Sequence, residues 1–385
     1  MSVNGRHKHR STKTLVVMVW MLAIVAGGLL GGLFFASCAF TMQRPTQPPV
    51  ELTSELEATL ESLMATLSTP TQDPQAALVT PTHTSLPPTG TSTPTVVPTS
   101  TPAEQACAWP PERMLIVSID ALRPEAVRDE KAAPFMLELT RQAAYTWVAQ
   151  TTRPSVTLPG HTSMLTGYDV PKHKADSNEW YKTPGARVLV PTIFQYASEN
   201  GLATAMIAGK KHFYYFEQEE FLDYHLVNPK ALDAQIADTA VEYILNNDFD
   251  LMVVHFANVD KAGHNYEWMS PQYLETVSRA DTALQRVLLA LRQAGRFDST
   301  LIIVSTDHGG TGISHGDASL TTNKTIPWMI LGPCVKPGYE IEEKEVQIFD
   351  TAVTALWALG LPRKDDLDGV PICEAFSSAL PVDCP

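Results

Sequence analysis

Seven residues with oxygen or nitrogen donors stand in one order along the chain after its first hundred residues: Asp120, Thr157, Asp260, His264, Asp307, His308 and His315. Carboxylates and imidazoles ligate divalent cations, and a hydroxyl beside such a cation can become a nucleophile. Each of the seven falls where a hydrophobic run ends or in the loop behind it. An open α/β sheet gathers the C-terminal ends of its strands along one edge, so residues remote in sequence can meet there around ions. The chemistry such a set offers is metal-assisted hydrolysis at a two-cation centre.

The elements that must position these donors show as an alternation. Apolar runs at 114–119, 203–208, 251–257, 301–305 and 326–331, several rich in β-branched residues, predict buried strands of a largely parallel sheet. Helical periodicity falls between them at about 124–141, 191–200, 231–245, 271–294 and 349–359. The expectation is one α/β domain over 107–385, with a mostly parallel central sheet and helices on both faces.

Taken singly, each donor has a plainer reading. Asp120 directly follows the first run, where an aspartate serves equally as a ligand, a helix N-cap or a turn residue. Thr157 precedes a helix expected over 162–165, with Pro159 and Gly160 suited to a tight turn into it. There a hydroxyl would stand among unpaired backbone N–H groups at the positive end of a helix, which favours bound phosphate; the competing reading is a plain N-cap. His161 reads as a structural hydrogen-bonder. His264, four residues after Asp260, reaches the same ion if the chain turns helically, with Gly263 allowing close approach; otherwise it is a loop histidine bonded to Asp260. Asp307 and His308 are adjacent, Gly309 and Gly310 ease the strained backbone needed to aim both, and His315 returns from the loop. A glycine-rich turn without metal is the alternative.

The N-terminal third is different in kind. Arg6, Lys8, Arg10 and Lys13 precede an uncharged apolar run, giving a cytoplasmic segment at 1–13 and a transmembrane signal anchor at 14–40, since a bilayer core needs about 20 apolar residues. The rival is a lipoprotein, because Phe35-Ala36-Ser37-Cys38 loosely resembles a lipobox; either tether leaves the catalytic part extracytoplasmic. Residues 41–106, rich in Pro and Thr, read as a disordered stalk, with Leu52, Leu56, Leu60, Leu63 and Leu67 at helical spacing inside it. A formal net charge of -14 excludes a basic nucleic-acid surface. None of the five cysteines forms a CxxC pair, so no zinc knuckle is expected. Outside the cytoplasm, four of them could form two disulfides, with Cys373 and Cys384 the local pair, or stay as buried thiols.

Residues 113 to about 362 resemble the alkaline phosphatase superfamily, and within it the type I phosphodiesterase/nucleotide pyrophosphatase family. The resemblance implies one metal held by Asp120, Asp307 and His308 with Thr157 touching it, and a second held by Asp260, His264 and His315. The family's ions are two zincs. Asn178, in His173-Lys174-Ala175-Asp176-Ser177-Asn178, matches the family asparagine that binds a phosphoryl oxygen. The implied activity is hydrolysis of a small phosphate ester through a phospho-threonine. Two departures bear on substrate: Leu158 stands where nucleotide-cleaving members often place an aromatic residue, and only six residues separate His308 from His315, where larger members carry an insertion. Sulfatases put a modifiable Cys or Ser before x-Pro-x-Arg, and this chain reads Thr157-Leu158-Pro159-Gly160-His161. Phosphonate cleavage, as of phosphonoacetate, and a non-catalytic surface binding protein are the alternative functions.

Overall fold

A computed structural model describes residues 107–385, apart from Pro184, Glu343 and Ala379. The expected anchor at 14–40 and stalk at 41–106 lie outside the described residues. Among the described residues no helix is long and apolar enough to cross a membrane.

The strand β1 (Arg113–Ile119) is the centre of the architecture. It is apolar at nearly every position because both its faces are covered: Leu115, Val117 and Ile119 enter one core, Met114 and Ile116 the other. β1 pairs in parallel with β5 (Leu251–Phe256) on one side and β6 (Thr300–Ser305) on the other. The full sheet has eight strands in the order β4-β3-β5-β1-β6-β7-β2-β8. Here β2 is Ala143–Gln150, β3 Thr204–Ala208, β4 Tyr224–Val227, β7 Thr325–Leu331 and β8 Tyr339–Glu340. Helices Asp233–Asn246 and Pro271–Gln293 cover the first core, and helices Thr157–Thr166, Ile193–Glu199 and Asp350–Ala358 the second.

The longest helix shows how the sequence sets such an element. Ser270 caps it by accepting from Tyr273 N at 3.2 Å, and Pro271 opens it where no N–H is needed. Tyr273, Val277, Leu284, Leu288 and Leu291 then form the stripe that packs on the sheet. Gly295, at φ 68°, lets the chain leave.

The sheet is mostly parallel, as expected, and mixed in one respect: β7 runs antiparallel to both β6 and β2. The connection from β6 to β7 contains only one short helix, Thr321–Lys324, and stays at one sheet edge, so the chain must return antiparallel; a parallel strand needs a crossover. The helix expected over 124–141 is two, Pro124–Val127 and Pro134–Leu139. Asp129 turns the chain between them by accepting from Lys131 N and Ala132 N, and Pro134 can only start a new helix. Strands β2, β4 and β8 fall in segments without a continuous apolar run. The four cysteines of the described residues form two disulfides, Cys107–Cys334 and Cys373–Cys384.

Candidate active site

All seven donors reach the edge formed by the C-terminal ends of β1, β5 and β6. Asp120 follows β1, and its N–H donates to Phe256 O of β5 at 2.9 Å. Asp307 and His308 follow β6. Asp260 and His264 lie one turn apart on the helix Asn258–Tyr266, so the helical turn expected there is present, with His264 Nε2 3.4 Å from Asp260 Oδ1. Thr157 is the first residue of the helix Thr157–Thr166, which therefore begins five residues earlier than expected. Val156 is its N-cap, so the plain-cap reading of Thr157 fails, and Pro159 sits in the first helical turn, where its missing N–H costs nothing.

Glycines permit this convergence by absence of bulk. A Cβ on Gly160 would lie 2.7 Å from Asp307 O, so the helix that carries Thr157 rests directly on the Asp307 backbone. Cβ atoms on Gly263 and Gly310 would lie 2.5 and 2.1 Å from the Trp268 ring, which pins the helix of His264 to the loop of His308. Gly309 and Gly310 have no positive φ; close approach, not the expected strained backbone, is what they supply. His315 returns through a tight Thr311–Ser314 turn in which Trp268 N donates to Gly312 O at 2.9 Å.

Two groups result, Asp120 with Asp307 and His308, and Asp260 with His264 and His315. They coincide with the division the family resemblance implies. Their donor chemistry fits cations. A carbonyl can only accept, and each imidazole sends Nδ1 to one: His308 to Gly309 O at 2.8 Å, His264 to Ile313 O at 2.9 Å, His315 to Ser155 O at 2.8 Å. Each Nδ1 therefore carries the proton, and in the neutral rings of His308 and His315 Nε2 presents a lone pair. Burial lowers His308 and lowers His315 to about 4, which keeps both neutral. The bond to Asp260 raises His264, and its Nε2 faces His315 Nε2 at 3.2 Å, a spacing that places a cation, a proton or a metal ion, between the two rings.

The carboxylates complement this. Asp120 Oδ1, Asp307 Oδ2 and Asp260 Oδ1 are buried with no hydrogen-bond partner. These are the oxygens nearest the imidazoles: His308 Nε2 is 3.3 Å from Asp307 Oδ2 and 3.7 Å from Asp120 Oδ1, and His315 Nε2 is 3.9 Å from Asp260 Oδ1. Ligands at ~2.0–2.1 Å around a tetrahedral zinc lie about 3.3 Å apart, so the first group is close to a ligand shell. Burial raises Asp120, with the charge of Asp307 adding to it, and raises Asp307 to about 6, against the opposing charge of Lys210. Burial also works to raise Asp260, but the ammonium of Lys210 and the neighbouring His264 ring outweigh it and hold that carboxyl well below the usual range.

Lys210 is the residue that sequence reading missed. Its Nζ donates to Asp120 Oδ2 at 2.8 Å, Asp260 Oδ2 at 2.7 Å and Thr157 Oγ1 at 2.9 Å. The signal was its position two residues behind β3, at the same sheet edge as the other donors. His255, inside the apolar run of β5, was also passed over; its Nε2 donates to Asp120 Oδ2 at 3.1 Å. His161 uses both ring nitrogens structurally, on Thr157 O at 2.9 Å and Ser118 Oγ at 2.8 Å. Asn178 lies at the start of the Thr157 helix, where Oδ1 accepts from Leu158 N at 2.8 Å. The Leu158 side chain is buried in the second core and is not available to stack on a substrate.

The fold itself places the chain in a class. It superposes on murine ectonucleotide pyrophosphatase/phosphodiesterase 5, an inactive form in complex with AMP, with a TM-score of 0.61 at 14% identity over 69% of this chain and 100% of that one. This is the alkaline phosphatase superfamily fold. Residues 114–330 match the family model described as type I phosphodiesterase/nucleotide pyrophosphatase, and the chain belongs to that family. The human catalytic subunit GPI ethanolamine phosphate transferase 2 is 25% identical over 280 residues, 67% of this chain and 27% of that protein. The 2,3-bisphosphoglycerate-independent phosphoglycerate mutase of Haloarcula marismortui is 27% identical over 151 residues, 38% of this chain and 28% of the mutase. The matched stretches thus span little more than a quarter of these relatives.

Proposed function

We propose that this chain is a two-metal hydrolase of phosphate esters, tethered outside the cytoplasm through residues 14–40 and a stalk at 41–106, that works through a phospho-threonine on Thr157. The observation that carries the reading is the match between three imidazoles locked as Nδ1–H tautomers and three buried carboxylate oxygens without partners, in two groups adjoining one hydroxyl.

Two divalent cations, zinc by the nitrogen-and-carboxylate donor set, would favour the Thr157 alkoxide and offset charge on the phosphoryl oxygens. Asp120, Asp307 and His308 would hold one, Asp260, His264 and His315 the other. Thr157 Oγ bonds to phosphorus as the bond to the leaving oxygen breaks, and the leaving oxygen departs as an alcohol after taking a proton from water. Asn178, fixed at the helix start by Leu158 N, offers its amide N–H to a phosphoryl oxygen. Water then attacks the phosphorylated threonine from the opposite side, releasing phosphate when the substrate is a monoester or the remaining monoester when it is a diester, and restoring the hydroxyl. Two inversions leave the configuration at phosphorus retained. Because Leu158 is buried, it offers no platform for a base, and the substrate is an ester recognised first through its phosphoryl group.

Turnover of bis(4-nitrophenyl) phosphate, 4-nitrophenyl phosphate and phosphonoacetate, with zinc and with chelator, tests this reading. An acid quench should leave phosphate on Thr157. Full turnover by Thr157→Ala, or no turnover of either ester by the zinc-loaded protein, sinks the mechanism; cleavage of phosphonoacetate alone transfers it to the P–C bond.

A further inference from the structure

Lys210 is used by nothing in the mechanism above, yet its ammonium stands at the middle of the centre. An ammonium has three N–H donors, and all three are placed: one on a carboxylate of each ligand group, one on the nucleophile. The side chain is 13% exposed, and the carboxylates it meets are buried. Its acceptors are the outer oxygens. It takes Asp120 Oδ2 and Asp260 Oδ2, while the oxygens without partners, Asp120 Oδ1 and Asp260 Oδ1, face the imidazoles. The ammonium therefore leaves the candidate ligand atoms free of hydrogen bonds from it.

We infer that Lys210 is a catalytic residue of this centre, a fixed third cation that ties the two ligand groups together and donates to Thr157 Oγ, favouring its alkoxide. The inference rests on Thr157 being the nucleophile. In the first step the Thr157 hydroxyl proton passes to solvent, the Oγ–P bond forms and the bond to the leaving oxygen breaks, while Lys210 keeps its three protons throughout. Once Oγ is an ester oxygen it is a poorer acceptor, and the third N–H becomes available to a phosphoryl oxygen of the phospho-threonine.

A second consequence separates this role from a structural one. Without the ammonium the two carboxylates lose a competing positive charge, so a neutral residue at 210 should bind divalent cations at least as tightly while catalysing poorly. Lys210→Met and Lys210→Gln in the full chain test both points. Each should retain a full zinc complement by elemental analysis and resist a competing chelator as well as the parent does. Each should form phospho-threonine from bis(4-nitrophenyl) phosphate ~100-fold more slowly in a single turnover, about the worth of one preorganised donor to a developing oxyanion. The pH at which that rate reaches half its maximum should move upward. Loss of activity in proportion to lost zinc, an unshifted profile with parental rates, or failure of both variants to fold would each overturn the inference and make Lys210 a structural tie. Thr157→Ala in the same assay separates the two claims: if it turns over, the nucleophile is wrong, and if it is dead while both Lys210 variants match the parent, only Lys210 is.

Discussion

Gly160→Ala is the substitution whose two effects oppose each other most plainly. Gly160 is helical with no positive φ, so alanine should by propensity alone stabilise the helix Thr157–Thr166 by about 1 kcal/mol. The added Cβ, however, would lie 2.7 Å from Asp307 O and 3.0 Å from Asp307 Cβ. Carbon needs about 3.5 Å or more, so the helix must back away by something near 0.5–1 Å. Asp307 cannot easily yield: its carbonyl accepts from Thr151 Oγ1, and its carboxylate accepts from Ala121 N at 3.1 Å. Overpacking of this kind costs about 1–3 kcal/mol, so the balance should be a net loss of about 1 kcal/mol.

The larger effect falls on activity, because the displaced helix carries Thr157 away from Asp307 and His308. Misplacement by about 1 Å costs up to ~100-fold in rate, so kcat/KM should fall roughly 10- to 100-fold while the protein remains folded. Initial rates on bis(4-nitrophenyl) phosphate beside a urea melt measure both quantities. Gly316→Ala is the control: it adjoins His315, but its Cβ would meet only Val156 Cγ1 at 3.8 Å. It should stay within about twofold of the parent, as expected of a change without overlap. A Gly160→Ala protein that is more stable and fully active would show that the helix does not depend on contact with Asp307.

Chelation should abolish turnover and lower the melting temperature, with zinc restoring both; at 100 times its Kd a bound ion stabilises by about 2.7 kcal/mol, so an unchanged melt would deny the centre. Trp268→Ala removes the ring packed on Gly263 and Gly310 together with its bond to Ala121 O at 3.1 Å, and should cost about 3–5 kcal/mol and weaken zinc retention. Burial raises Asp281 to about 6, although its carboxylate accepts from Phe135 N and Met136 N. Unfolded, it titrates at about 3.9, so the folded state binds the extra proton, and stability from this group falls as pH rises from about 4 to 6 and is flat above. The difference between parent and Asp281→Asn melts should change across that window and nowhere else. Cys107–Cys334 closes a separation of 227 residues, so Cys107→Ser should cost on the order of 2–5 kcal/mol in urea denaturation, which a parental midpoint would contradict.

The donors were legible because the rule that finds them is local. A polar residue that ends an apolar run, such as Asp120 after Ile119 or Asp307 after Thr306, must lie at a strand's C-terminal edge whatever the order of the strands. Strand direction needed more. The reversal at β7 follows from what is absent between Ser305 and Thr325, a helix long enough to cross the sheet, and an apolar run cannot express an absence. Strand β2, read from its sequence Ala-Ala-Tyr-Thr-Trp-Val-Ala-Gln, mixes buried and partly exposed positions on both faces, so it has neither the continuous apolar run of β1 nor strict alternation.

Lys210 marks a different boundary. Its place behind β3 satisfied the same local rule as Asp120, yet a lysine is no metal ligand, and only the adjacency of β3 to β5 shows that its ammonium meets both carboxylates. Tautomers lie further still from the sequence. That His264, His308 and His315 expose Nε2 is decided by carbonyls of Ile313, Gly309 and Ser155, whose side chains are irrelevant to the bond. Any residue type at 313 would present the same carbonyl, while Ser155 Oγ also donates to His315 O and ties those two segments together, so sequence can name the ligands while the loop backbone decides their state. Substitutions that move those loops should therefore weaken metal binding with every ligand intact.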